Sequence, residues 1–174
     1  GGGSVGVQAL EDIRPQFHVL ALKAADVMTV IVAEPREVAV VHADHVSVVQ
    51  CELDVEVDEL ALEPSAGTGM LAVWAAKAGA RLCLNEISPL RRDCLNALFP
   101  TARLAGHDAE LIDELLDPAI TPSVVLMNPP YSHGIERGHD SRTGSRHLRS
   151  AWNRLAPGGR LVAIMPEWFD CAKF

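Results

Sequence analysis

The sequence predicts an α/β domain with a doubly wound, mainly parallel sheet and helices on both faces, preceded by a Val-rich β segment. Two observations carry this expectation. From Leu60 onward, short apolar runs alternate five times with amphipathic or Ala-rich stretches, the pattern of serial β/α units. At the first of these units the glycine-rich loop Gly67-Thr68-Gly69 joins an apolar run to a helical one, as in sheets that bind a ligand at their carboxyl ends.

The elements follow in order. Gly1-Gly2-Gly3-Ser4 reads as a flexible linker, and residues 1–26 are treated as an N-terminal extension. Residues 27–59 form the acidic Val-rich segment, with strands expected at Val27–Val32, Val38–Val41 and Val46–Val49. The turns between them fall at Glu34–Glu37 and His42–His45. His42 and His45, three apart and without a third ligand, read as a polar turn, and no metal site is expected anywhere in the chain. Asp54, Glu56, Asp58 and Glu59 alternate with apolar residues as on a solvated strand face. Leu60-Ala61-Leu62 is the next strand, and a helix is expected from Met70 to a Gly79 cap. Arg81–Leu84 is a strand, Ser88 and Pro89 open a helix that Pro100 ends, and Leu104 lies in a further strand. Glu110–Leu116 reads as a short helix, Val124–Met127 as a buried strand, His147–Leu155 as a helix, and Leu161–Met165 as the fifth parallel strand.

Length and charge narrow the function classes. The chain has 174 residues, with 15 basic against 23 acidic ones and a net charge of −8. Residues 1–59 hold three basic and eleven acidic residues, which leaves twelve of each for residues 60–174. A neutral functional core behind an acidic segment argues against tight, free-standing nucleic-acid binding, which needs a basic footprint. Apolar runs fall short of a bilayer span and no leader pattern opens the chain, so membrane insertion and secretion are not expected. Four dispersed cysteines without a C-x-x-C pair fit a reducing cytoplasm.

Two motifs carry chemistry. Gly67-x-Gly69-x-x-Ala72 lets the backbone approach a ligand, and Glu86 stands where a carboxylate accepts from ribose hydroxyls. Together they point to an adenosine-containing cofactor. Asn128-Pro129-Pro130-Tyr131 follows the fourth strand of the parallel series. An exocyclic amine is a poor nucleophile because its lone pair is delocalised. The Asn128 side-chain carbonyl and the Pro129 backbone carbonyl can accept its N–H bonds and aim that lone pair at a methyl donor, while Tyr131 offers a face for a planar base or amide.

The segments Glu63-Pro64-Ser65-Ala66-Gly67-Thr68-Gly69, Asn85-Glu86, His107-Asp108 and Asn128-Pro129-Pro130-Tyr131 resemble the successive motifs of class I S-adenosylmethionine-dependent amino-methyltransferases of the NPPY type. More closely, residues 60–174, about two thirds of the chain, are similar to the methylase region beside strawberry-notch-like helicases of bacterial plasmids and phages. The resemblance implies a Rossmann-like fold and S-adenosylmethionine as cofactor. It implies that Glu63, Gly67 and Gly69 surround the methionine part, that Pro64 and Ser65 also bind the cofactor, that Glu86 holds the ribose, and that Asp108 meets the adenine amine. Asn128, also beside the cofactor, would be catalytic with Pro129, Pro130 and Tyr131. The implied reaction is methyl transfer to a planar amino nitrogen, first of all adenine N6 in DNA. RNA adenine and protein glutamine are the alternatives, and a non-catalytic cofactor-binding or scaffold module is the rival reading. Nucleic acid is the expected partner, through additional domains of a helicase-like protein.

The family core commonly continues past the fifth strand into a helix and an antiparallel strand pair, and residues up to Phe174 show neither. The expectation is a core truncated there, with the N-terminal strands taking the vacant edge. A family segment that contacts the cofactor just before the first strand has no counterpart in residues 27–59. Residues 132–146 hold three arginines against two acids, with Arg149 following, and read equally as a solvated loop or a phosphate-contacting one.

Overall fold

A run such as Val124-Val125-Leu126-Met127, apolar at every residue, is stable as a strand only where both of its faces are covered. The computed structural model of the chain shows that arrangement; it describes residues 28–33, 38–43, 55–130, 142–165 and 169. Seven strands are present: β1 (Met28–Ala33), β2 (Val38–Ala43), β3 (Leu60–Glu63), β4 (Arg81–Asn85), β5 (Arg103–Ala105), β6 (Val124–Met127) and β7 (Arg160–Met165). The helices are α1 (Ala72–Ala78), α2 (Pro89–Leu98), α3 (Ile112–Leu115) after a 3-10 turn at Ala109–Leu111, and α4 (Thr143–Arg154).

The strands form one sheet in the order β2-β1-β7-β6-β3-β4-β5. The five strands from β3 onward are mutually parallel, as the β/α alternation predicts. Alternate residues of each strand enter different cores. Leu62, Cys83, Val125, Met127, Leu161 and Ala163 pack with Ile112, Leu116, Leu148 and Ala151 of the α3–α4 side. Ala61, Leu82, Leu84, Val124, Leu126 and Val162 pack with Leu71, Ala72, Ala75 and Leu95 of the α1–α2 side. Each fully buried leucine contributes about 1.5–3 kcal/mol, so the two layers together dominate the stability. At the amino end of the sheet Arg160 bonds both oxygens of Glu59, at 3.0 and 2.6 Å, tying β7 to the approach of β3. That bond holds the Glu59 carboxyl below its ordinary range.

The N-terminal strands belong to this same sheet. β1 runs antiparallel to β7, from Thr29 opposite Met165 to Ala33 opposite Leu161, and β2 runs antiparallel to β1. The edge of β7 is therefore occupied by chain that precedes the parallel core.

Several local expectations need correction. His42 and Ala43 are not turn residues but the end of β2, paired with Thr29 and Met28. Residues 56–59 are not a strand face. The Glu59 N–H donates to the Glu56 carbonyl and Asp58 has φ +67°, so the chain turns before β3. Helix α4 starts at Thr143, a turn earlier than expected, because Thr143 and Gly144 are buried against the core and tertiary packing overrides their poor helix propensity. The expected strand at Val46–Val49 lies outside the described residues.

Candidate active site

In an open parallel sheet, loops at the carboxyl ends diverge where the strand order reverses, and a crevice opens there. Here the reversal falls at β3, whose neighbours are β4 on one side and β6 on the other. A cavity of about 630 Å³ lies at that point, lined by residues at the carboxyl ends of β3 (Glu63–Thr68), β4 (Asn85–Ile87), β5 (His107–Ala109) and β6 (Asn128–Pro130), together with His147 of α4. That volume suits a nucleoside-sized ligand.

The structure brings together most of the residues the sequence singles out. Glu63, Pro64, Ser65, Gly67, Glu86, Asp108, Asn128, Pro129 and Pro130 all line the cavity. Gly69 does not. It is buried behind the loop with φ +83°, and a Cβ there would come within 2.5 Å of the Phe99 ring, so its bare backbone serves the packing of α2 against the loop. Gly67, with φ +55°, lines the cavity, and a Cβ there would meet no other atom within 4 Å. Tyr131 lies outside the described residues, as do residues 132–141, the first part of the Arg-containing segment that follows it.

Two buried polar residues hold the loops in place. Asn85 donates from Nδ2 to the Pro64 carbonyl at 2.8 Å and to the His107 carbonyl at 2.9 Å, and its Oδ1 accepts from the His107 N–H at 2.8 Å. One side chain thereby clamps the loop after β3 to the loop after β5. Glu86 accepts from the Gly67 N–H at 2.8 Å through Oε2 and from the Ser88 N–H at 2.9 Å through Oε1. Each carboxylate oxygen carries two lone pairs, so both retain acceptor capacity for hydroxyl groups in the cavity. Asp108 caps the 3-10 turn, its Oδ1 accepting from the Glu110 N–H at 3.0 Å.

Glu63 is the electrostatic anomaly. It is 4% exposed, and among the described residues its Oε2 has no hydrogen-bond partner. Burial pushes its carboxyl up to about 8, opposed by the Ala72 N–H and reinforced by the Glu86 carboxylate. A buried, unsatisfied acceptor in a cavity wall is the complement of a cationic ligand group.

The sequence reading did not anticipate His147. Its Nδ1 lies 3.5 Å from Ser65 Oγ and its Nε2 3.9 Å from Glu110 Oε1. Glu110 in turn receives Arg146 Nε at 2.7 Å and Nη2 at 2.9 Å. Ser150 and Asn153 bond the Asp113 carboxylate one turn further along, so a polar seam fastens α4 to the 3-10 turn and α3. The available signal was a polar pair, His147 and Ser150, on the apolar stripe that Leu148 and Ala151 define.

No protein-family model matches the chain. It is similar to the ribosomal RNA small subunit methyltransferase C of Chromohalobacter salexigens, 27% identical over 117 residues, covering 64% of this chain and 34% of that protein. The chain thus spans about a third of that relative's length. Among solved structures it resembles TrmN from Thermus thermophilus, with a TM-score of 0.51 and 22% identity over 67% of this chain and 36% of the other. It also resembles a SAM-dependent methyltransferase from Thiobacillus denitrificans in complex with S-adenosyl-L-homocysteine, with a TM-score of 0.50 and 15% identity over 67% and 46% of the two chains. The parallel core has the Rossmann-like methyltransferase fold. Among the described residues no three His, Cys, Asp or Glu side chains cluster to hold a metal, and no helix is long and apolar enough to cross a membrane.

Proposed function

We propose that this chain is an S-adenosylmethionine-dependent methyltransferase domain of the NPPY type that methylates a planar amino nitrogen of a nucleic-acid base. The observation that carries the reading is one cavity whose wall holds Glu63, Glu86 and Asp108 from three successive loops and Asn128-Pro129-Pro130 from a fourth. The cofactor fits these residues. Glu63 offers its buried oxygen to the ammonium of the methionine part, Glu86 its remaining lone pairs to the ribose hydroxyls, and Asp108 an acceptor to the adenine amine. Its sulfonium centre would supply the methyl group. The Asn128 side-chain carbonyl and the Pro129 backbone carbonyl would accept the two N–H bonds of the target amine, orienting its lone pair, and Tyr131 would stack on the base.

Adenine N6 in DNA is the target the sequence motifs favour, and the likeness to a ribosomal RNA methyltransferase supports RNA as the second substrate class. The chain covers about a third of that relative, so the proposal includes further domains that contribute nucleic-acid contacts, as beside a helicase. The test is transfer of labelled methyl groups from S-adenosylmethionine to adenine-containing DNA and RNA oligonucleotides in parallel. Label in either, lost in Asn128→Ala, supports the reading. Calorimetric binding of S-adenosylmethionine without transfer to any acceptor would favour a cofactor-binding module.

A further inference from the structure

The methionine end of the cofactor carries an ammonium and a carboxylate on one carbon, and Glu63 answers only the ammonium. Beside Glu63, the carboxylates of Glu86 and Asp108 line the cavity, and they repel a ligand carboxylate unless donors meet it at that end. We infer that His147 and Ser65 form an anion subsite that receives the carboxylate of the cofactor's amino-acid tail. The inference rests on the cofactor reading above and adds to it a residue that neither the glycine loop nor the NPPY motif contains.

Three observations converge. Ser65 is two residues past Glu63, and both line the same cavity. His147 is 7% exposed, lines the cavity, and is held between Ser65 Oγ at 3.5 Å and Glu110 Oε1 at 3.9 Å. The other donor side chains of the wall are engaged or placed elsewhere: Asn85 donates to the Pro64 and His107 carbonyls, and Asn128 is assigned to the target amine. Arg91 stands 3.6 Å from Glu86, on the ribose side, His107 adjoins Asp108, and Thr68 is exposed on the outer part of the loop. With its hydrogen on Nδ1, the ring donates to a Ser65 lone pair, while Nε2 lies on the Glu110 side. The Ser65 hydroxyl is then turned to donate to the ligand carboxylate, a hydrogen bond strengthened by the charge on the acceptor. Arg146 grips Glu110 through two nitrogens and so keeps the acidic partner of the ring from moving toward the cavity. The subsite thus depends on α4, the helix that follows the NPPY motif, and not on a segment before the first strand of the parallel core.

The test compares two ligands on the whole chain by calorimetry: S-adenosylmethionine, and 5′-methylthioadenosine, which keeps adenosine and sulfur but has no amino-acid tail. His147→Asn and Ser65→Ala are expected to weaken S-adenosylmethionine about ten- to a hundred-fold, the range of one charge-assisted hydrogen bond, while 5′-methylthioadenosine binding stays within about two-fold. Ser65→Thr, which keeps the hydroxyl, should retain most of the affinity. Equal loss of both ligands in His147→Asn would make the histidine a structural residue and overturn the inference. Unchanged S-adenosylmethionine affinity in both variants would overturn it as well. A wild-type chain that binds neither ligand would overturn the cofactor reading itself, a result distinct from the other two.

Discussion

Replacing Glu63 by Gln removes a buried carboxyl whose ionisation the fold resists, and the consequence is readable as a pH dependence of stability. Burial raises this carboxyl from 4.5 to about 8 in the folded chain, whereas in the unfolded chain it titrates near its ordinary value. Between those limits the native state holds a proton that the unfolded state has released. Stability attributable to this group is therefore full below about pH 4.5, falls as the pH rises, and levels off above about 8. At about 1.4 kcal/mol for each pH unit, the whole window comes to about 5 kcal/mol. The assay is urea unfolding followed by Trp fluorescence at pH 5.5, 7.0 and 8.5, wild type against Glu63→Gln. All other titrations are shared and cancel in the difference. Wild type should lose about 3 kcal/mol relative to the variant between the lowest and highest pH. Parallel curves across the three pH values would refute the argument that Glu63 is protonated in the ligand-free fold. A second arm follows from the same linkage: a cation bound at Glu63 favours the charged form, so S-adenosylmethionine affinity should rise with pH up to about 8 in wild type and stay flat in Glu63→Gln.

Three further substitutions separate the roles of neighbouring residues. Asn128→Ala should leave S-adenosylmethionine affinity within about three-fold while reducing turnover by about a hundred-fold or more, measured by calorimetry beside the transfer assay, and equal loss of both would contradict its assignment to the amine. Glu86→Ala strips the acceptors from the Gly67 and Ser88 N–H groups; it should weaken cofactor binding first and lower stability by about 2 kcal/mol in urea unfolding. An unchanged cofactor titration for Glu86→Ala would remove it from the ribose site. Gly69→Ala should destabilise by about 1–3 kcal/mol through the Phe99 clash and the positive φ, and Phe99→Leu on the same chain should recover part of the loss; no recovery would mean the backbone angle alone is responsible.

The parallel core was legible because its rules are local. Apolar runs at Leu60, Leu82 and Val124 are too short for helices, Gly79 and Pro100 mark helix ends, and Pro89 follows the residue that caps its helix. The cavity residues were legible because glycine and carboxylate sit at fixed distances along one β/α unit. Three things were not. The start of α4 was hidden by Thr143-Gly144-Ser145, residues of low helix propensity that burial against Met165 makes affordable. The distinct duties of Gly67 and Gly69 could not be told apart, since both have positive φ and only the position of Phe99 assigns one to packing. His147 was missed because its partners, Ser65 and Glu110, are 82 and 37 positions away and meet it only when two loops and a helix are assembled.

The pairing of β1 with β7 bears on how the chain is made. Thr29 and Met165 are 136 positions apart, so the hairpin leaves the ribosome long before the strand it adjoins exists. At about 5–20 residues per second the interval is roughly 7 to 27 s, far longer than the microseconds a hairpin needs to form. Throughout that time β1 lacks its β7 partner, and the chain around it is strongly acidic, with eleven acidic against three basic residues in positions 1–59. The growing chain can therefore assemble β3, β4, β5 and β6 first and accept the waiting hairpin last, when β7 emerges.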